Sequence, residues 1–159
     1  MLNVKIISTG TLKEDYLRQA VAEYAKRLSG YCKFSEVVLK EAKLPDSPSD
    51  REIASALDAE AKNILAEISP RSFKIAMCVE GKQLSSEELA EKLESISSEA
   101  GTICFIIGGS YGLSSAVKAS GNLKLSFSRL TFPHQLMRVI LLEAVYRGFN
   151  IIKGTKYHK

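Results

Sequence analysis

Residues 102–112, TICFIIGGSYG, are apolar for most of six positions and then break at two adjacent glycines. A strand with one solvated face would alternate polar and apolar side chains, whereas an uninterrupted apolar run suits a strand covered on both faces of a parallel sheet. Residues 73–79, FKIAMCV, show the same pattern and leave through Glu80-Gly81-Lys82, which reads as a turn. Two doubly covered strands require helices on both sides, so the neighbouring segments should supply them.

They do so on both flanks. Upstream, residues 3–8 (NVKIIS) read as a first strand, and residues 33–40 (KFSEVVLK) as a second. Between them Leu17, Val21, Tyr24 and Leu28 recur at helical spacing, with Gly30 available for a left-handed C-terminal turn. Residues 41–50, EAKLPDSPSD, carry two prolines and several turn formers and form the clearest loop in the chain. Ser49 with Glu52 and Ser85 with Glu88 make two S-x-x-E capping boxes, each heading an apolar-periodic helix, and Leu84 is spaced to pack on Leu89. Downstream, a short helix through Leu113–Ser120 precedes a fifth strand over Asn122–Phe127. Pro133 then opens a strongly apolar helix for which Gly148 offers a stop, and the last eleven residues show no clear period. Strands alternating with helices make this a single α/β domain with an open, mainly parallel sheet and helices on both faces. Ligands of such sheets bind beyond the carboxyl ends of the strands, near the switch in strand order. The ends at Val79 and Gly108 are therefore the expected site.

Composition narrows the class. The 159 residues are 45% hydrophobic and 25% charged, as in ordinary globular domains. No apolar run approaches the roughly 20 residues that cross a bilayer, and the first ten lack a signal-peptide core, so a cytoplasmic protein without membrane attachment is expected. Cys32, Cys78 and Cys104 show no CxxC spacing and have only two histidines to join them, so no metal site is expected and the thiols read as small hydrophobes. The net charge of +4 is uneven: the segment from Lys124 onward carries +6 and the rest −2. This asymmetry suits contact with a polyanion, although a solvated basic face gives the same count.

Gly108, Gly109 and Gly112 form GGxxG, which is neither the dinucleotide G-x-G-x-x-G nor the phosphate loop GxxxxGK[ST]. It fits either a structural strand-to-helix turn or a nucleoside held by backbone groups. No G-x-S-x-G elbow occurs and only His134 and His158 can serve as bases, which disfavours hydrolases. His134 sits at the head of an apolar helix, where a structural hydrogen bond competes with catalysis. Arg138, one turn on, is costly to bury unpaired and either meets Glu143 or faces an anionic substrate.

The stretches GGSYGL (108–113) and LSFSRLTFPHQLMRVILLEAVYRGFNIIKG (125–154), with the terminal YHK, resemble the small ribosomal RNA methyltransferases of the SPOUT superfamily, and the resemblance runs from NVKIISTG to the last residue. The resemblance implies an α/β fold whose C-terminal segment is tied in a deep trefoil knot, a feature that general topology rules would not suggest. It further implies S-adenosylmethionine as cofactor, a homodimer with composite active sites, and methylation of N3 of a pseudouridine in the helix 69 loop of 23S ribosomal RNA on the assembled ribosome. By the same resemblance the cofactor contacts fall at Met77, where the family usually has leucine, at Gly108, and along Phe127, Ser128, Arg129, Leu130, Thr131 and Phe132. Tyr157, His158 and Lys159 would reach the partner protomer's cofactor site and help hold the target nucleotide of the RNA. Catalytic roles fall to His158, which either accepts the proton or only orders the tail or contacts phosphate, to Tyr157, which can stack on a base, and to Arg138, while Arg129, Arg138 and Lys156 can contact RNA phosphates. Because a sulfonium methyl is already electrophilic, no metal is required. Two other readings remain open on sequence: a noncatalytic ribosome-binding protein of this fold, and a SPOUT methyltransferase acting on tRNA.

Overall fold

The computed structural model describes residues 1–159 as ten elements: β1 (Asn3–Thr9), α1 (Asp15–Leu28), β2 (Lys33–Leu39), α2 (Asp50–Glu67), β3 (Phe73–Gln83), α3 (Ser86–Glu99), β4 (Thr102–Ile107), α4 (Ser115–Ser120), β5 (Leu123–Ser126) and α5 (His134–Lys153). The five strands form one parallel sheet in the order β2-β1-β4-β3-β5. The α/β architecture and the five parallel strands are those expected from the apolar runs.

Alternate residues of the central strands feed two separate cores, because successive side chains of a strand point to opposite faces. Ile6, Phe105 and Ile107 join Leu28 of α1, Leu89, Leu93 and Ile96 of α3, and Leu141, Leu142 and Val145 of α5 in the larger core. Ile7, Cys104 and Ile106 join Ala61 and Ile64 of α2 and Val117 of α4 in the smaller one. The helices after the adjacent strands β3 and β4 thus lie on opposite faces, and the chain parts between them at the carboxyl edge. That parting opens a crevice where a ligand can enter.

Both capping boxes are present. The Ser49 hydroxyl accepts from the Glu52 N–H while the Glu52 carboxylate accepts from the Ser49 N–H, and Ser85 and Glu88 do the same. Each satisfies two donors that a helix start would otherwise leave open. α4 is capped by Ser114, whose hydroxyl accepts from the Val117 N–H.

Three expectations need correction. Gly30 does not make a left-handed turn after α1, whose capping residue Ser29 is right-handed helical, φ −58°. Glu80-Gly81-Lys82 is not a turn out of the sheet: β3 bulges after Met77 and returns to pair again, so that both Met77 and Lys82 stand opposite Leu125. The return depends on Gly81, where a Cβ would lie 2.7 Å from backbone carbons of Lys124 and Leu125. Nor does Gly148 stop α5, which continues to Lys153 and ends at Gly154 in the left-handed conformation, φ 66°. Gly148 is helical and marks a close helix crossing, since a Cβ there would sit 2.8 Å from Leu93 Cδ1 of α3.

Candidate functional site

The carboxyl ends of β3, β4 and β5 surround a cleft of about 720 Å³, a size that suits a nucleoside-like ligand. Its floor and walls are built from the strands and their ends: Met77 and Cys78 from β3, Ile107 from β4 with Gly108 just after it, and Leu125 and Ser126 from β5. Met77 and Leu125 are buried and apolar, so that part of the wall is a surface for a flat apolar group. The segment 127–133 forms the far side, and α5 contributes His134 and Met137.

The glycine loop closes the cleft at the end of β4. The Gly112 N–H donates to Gly109 O at 3.0 Å, and the two residues form an isolated bridge. A Cβ on Gly108 would come within 2.2 Å of Gly112 O, so no side chain fits under this turn. Gly108, Gly109 and Gly112 thus bring backbone without side chains to the cleft wall, beside Ser110 and Tyr111. Opposite it, the Ser128 hydroxyl accepts from the Leu130 N–H and the Ser126 hydroxyl donates to Ser128 O, which fixes the shape of the 126–130 segment. At the mouth Lys118 pairs with Glu80 at 2.5 Å, and that pairing holds the Glu80 carboxyl below its ordinary range.

Of the eight cofactor positions implied by resemblance, Met77, Gly108, Phe127, Ser128, Leu130, Thr131 and Phe132 all line this one cleft. Arg129 is exposed beside it. The C-terminal positions lie elsewhere. The Tyr157 hydroxyl donates to Glu143 Oε1 at 3.0 Å, and its ring meets Tyr146 edge-on with centroids 4.9 Å apart. The Arg147 guanidinium lies 4.8 Å from the Tyr157 centroid and pairs with Glu143 at 2.6 Å. Burial and the neighbouring Glu143 carboxylate push the Tyr157 phenol up to about 12.

His158 lies between Arg147 and Glu87. Its Nδ1 is 3.3 Å from Arg147 Nη1, a group that can only donate, and its Nε2 is 2.8 Å from Glu87 Oε1. The neutral imidazole satisfies both contacts with the proton on Nε2. The hydrogen bond from His158 is also the main reason the Glu87 carboxyl is held low. Nothing in the sequence singles out Arg147 or Glu87. The Glu143–Arg147 pair was legible as an i,i+4 spacing on a helix, but nothing local connects residue 87 to residue 158.

Arg138 meets neither partner expected for it. It is 3% exposed and pairs at 2.8 Å with Glu36 of β2, with a longer contact from Nη1 to Gly10 O. Glu143 lies over a turn further along α5 and is already engaged by Arg147. The side chain does not line the cleft, so here Arg138 ties α5 to the sheet. Removing one partner of such a pair costs about 3–5 kcal/mol, because the other charge is left buried. Lys156 and Lys159 are exposed, as RNA contacts would need to be.

Burial raises the thiols of Cys32 and Cys104 to about 11, and that of Cys78 is raised by the same cause first. The structure contains no group of three or more His, Cys, Asp or Glu side chains that could hold a metal ion, and no helix long and apolar enough to cross a membrane.

A family model described as predicted SPOUT methyltransferase matches residues 2–158. The chain is 50% identical to a Clostridium beijerinckii protein named ribosomal RNA large subunit methyltransferase H, and 47% identical to a Bacillus pumilus protein of the same name. Both matches cover 99% of this chain and 100% of the relative. Among solved structures, a probable methyltransferase from Bordetella pertussis superposes with a TM-score of 0.55 at 17% identity, covering 93% of this chain and 96% of that one. A tRNA methyltransferase from Aquifex aeolicus superposes with a TM-score of 0.52 at 15% identity, covering 92% and 69%. At these identities the two structures speak to the fold.

Proposed function

The chain belongs to the SPOUT methyltransferase family, and on that premise we propose that it is an S-adenosylmethionine-dependent methyltransferase of large-subunit ribosomal RNA. The substrate is N3 of a pseudouridine in the helix 69 loop, presented by the assembled ribosome. A C-terminal trefoil knot belongs to the same reading. The observation that carries the proposal is the glycine turn, tight enough to exclude a side chain at Gly108, lining one cleft together with the buried Met77 and Leu125. Such a cradle suits a nucleoside held by backbone groups and apolar walls.

S-adenosylmethionine held there supplies an electrophilic methyl carbon on a sulfonium. The chain's own residues then have three tasks. Gly108 and the shaped 126–130 segment hold the adenosine portion, while the apolar Met77 and Leu125 keep water from its faces. The target nucleotide must be brought to the methyl group at near-attack distance, where alignment alone can account for most of the rate. The N3 proton must leave, and His158 is the proposed acceptor.

Tyr157 and His158 are packed on their own α3 and α5, away from their own cleft. If the tail serves a methyl-transfer site, a second copy of the chain is the natural recipient. Exposed apolar side chains near the cleft, Leu130 at 70% and Tyr111 at 48% exposed, supply surface for such a homodimer. His158 would have to release Arg147 before its Nδ1 could accept a proton. Arg129, Lys156 and Lys159 remain free to contact phosphates.

Transfer of labelled methyl from S-adenosylmethionine to ribosomes lacking the modification tests this directly, with naked ribosomal RNA and tRNA in parallel. Label in the large ribosomal RNA of intact ribosomes is the expected result. Label in tRNA alone would overturn the substrate, and cofactor binding without label in any RNA would indicate a noncatalytic binder of the same fold.

A further inference from the structure

The loop after β2, residues 40–49, sends one side chain to the glycine loop. Glu41 Oε1 accepts the Ser110 N–H at 2.9 Å, a contact across 69 residues of sequence. The approach is close: a Cβ on Gly109 would lie 2.7 Å from the same oxygen, and one on Gly10 would lie 3.3 Å from Oε2. One carboxylate therefore lies against the ends of β1 and β4 and bonds to the second, and two glycines leave room for it.

Glu41 is itself held. The next residue, Ala42, donates its N–H to Glu60 Oε2 at 2.8 Å, and Glu60 is a carboxylate of α2 that is only 7% exposed. A connected path thus runs from α2 through Ala42 and Glu41 to Ser110, which lines the cleft although Glu41 does not. Without the carboxylate the Ser110 N–H would turn to water, and the loop would have to be ordered again when a ligand binds.

We propose that Glu41 is a positioning residue of the cofactor site, holding the Gly109–Ser110 backbone in its binding shape from behind the cleft. The proposal rests on the cleft being the S-adenosylmethionine site. Its role is acceptance of a hydrogen bond, so glutamine should replace it and alanine should not.

Two measurements decide this on the wild-type chain, Glu41→Ala and Glu41→Gln. In the cofactor-free proteins, amide hydrogen exchange over residues 108–112 should quicken in Glu41→Ala and stay near wild type in Glu41→Gln. In calorimetric titration with S-adenosylmethionine, Glu41→Ala should bind about tenfold more weakly, equivalent to one charge-assisted hydrogen bond at the weak end of its range. Glu41→Gln should stay within about threefold of wild type, because its amide oxygen still accepts. Unchanged exchange and affinity in Glu41→Ala would overturn the proposal, as would equal impairment in both variants. If the wild-type chain bound no S-adenosylmethionine, the cofactor reading would fail, and the exchange arm would still decide whether Glu41 holds the loop.

Discussion

Single side chains here are legible in unequal degree. The strand ends at Val79 and Gly108 mark an expected ligand site because a parallel sheet puts strand ends together, whereas Met77 and the run from Phe127 to Phe132 are implied only by the family resemblance. Glu36, Glu41 and Glu87 could not, because each finds its partner across 69 residues or more. Arg138 shows the difficulty: its burial was foreseeable from the apolar helix around it, but its partner lies on a strand 102 residues earlier. The tail offers a direct check on a single group. The Tyr157 phenol is raised to about 12, by burial and by Glu143, so its neutral form is the one the folded state favours. Any stability it contributes is fully present below the ordinary tyrosine value near 10 and is lost as pH climbs toward 12. In spectrophotometric titration of the native protein, Tyr157→Phe should remove a phenol that ionises toward pH 12. A late component that persists in that variant would mean the Tyr157–Glu143 contact does not hold in solution.

Elements were legible where local chemistry specifies them. The two capping boxes fixed the starts of α2 and α3 because the serine and glutamate that make them are three residues apart. Each capping serine is worth roughly 1 kcal/mol. Where an element's extent depends on distant contacts, the sequence misled. β3 continues through Gly81 because β5 accepts it, and α5 continues through Gly148 because α3 presses close at that point. The β3 bulge carries a definite prediction. Gly81→Ala puts a methyl group 2.7 Å from backbone carbons of Lys124 and Leu125, atoms that cannot move aside as a side-chain tip can. A loss of about 1–3 kcal/mol, typical of overpacking, is expected in denaturant unfolding. An alanine variant as stable as wild type would show that the second β3–β5 pairing contributes little.

The molecule as a whole divides its labour between the two sides of the sheet. The larger core, under α1, α3 and α5, fixes the helix that carries the tail, and the smaller one, under α2 and α4, supports the glycine loop from behind. Doubly covered strands make helices on both faces readable from apolar runs, but not which helix lies on which face. The cleft followed from the layering, because adjacent strands send their helices to opposite faces. The uneven charge, +6 from Lys124 onward, suits a basic surface meeting RNA phosphates, and the exposed Arg129, Lys156 and Lys159 belong to it. What composition could not supply is the use of the tail, which depends on a second copy of the chain in the proposed mechanism. In the proposed reading the cleft between β3, β4 and β5 holds the methyl donor. Calorimetric titration of S-adenosylmethionine into the wild-type chain and Gly108→Ala tests it most directly, since a Cβ at residue 108 would meet Gly112 O at 2.2 Å and must deform the loop. Saturable binding by the wild type that is lost in a folded Gly108→Ala is the predicted result; no binding by the wild type, or equal binding by both, would contradict the account.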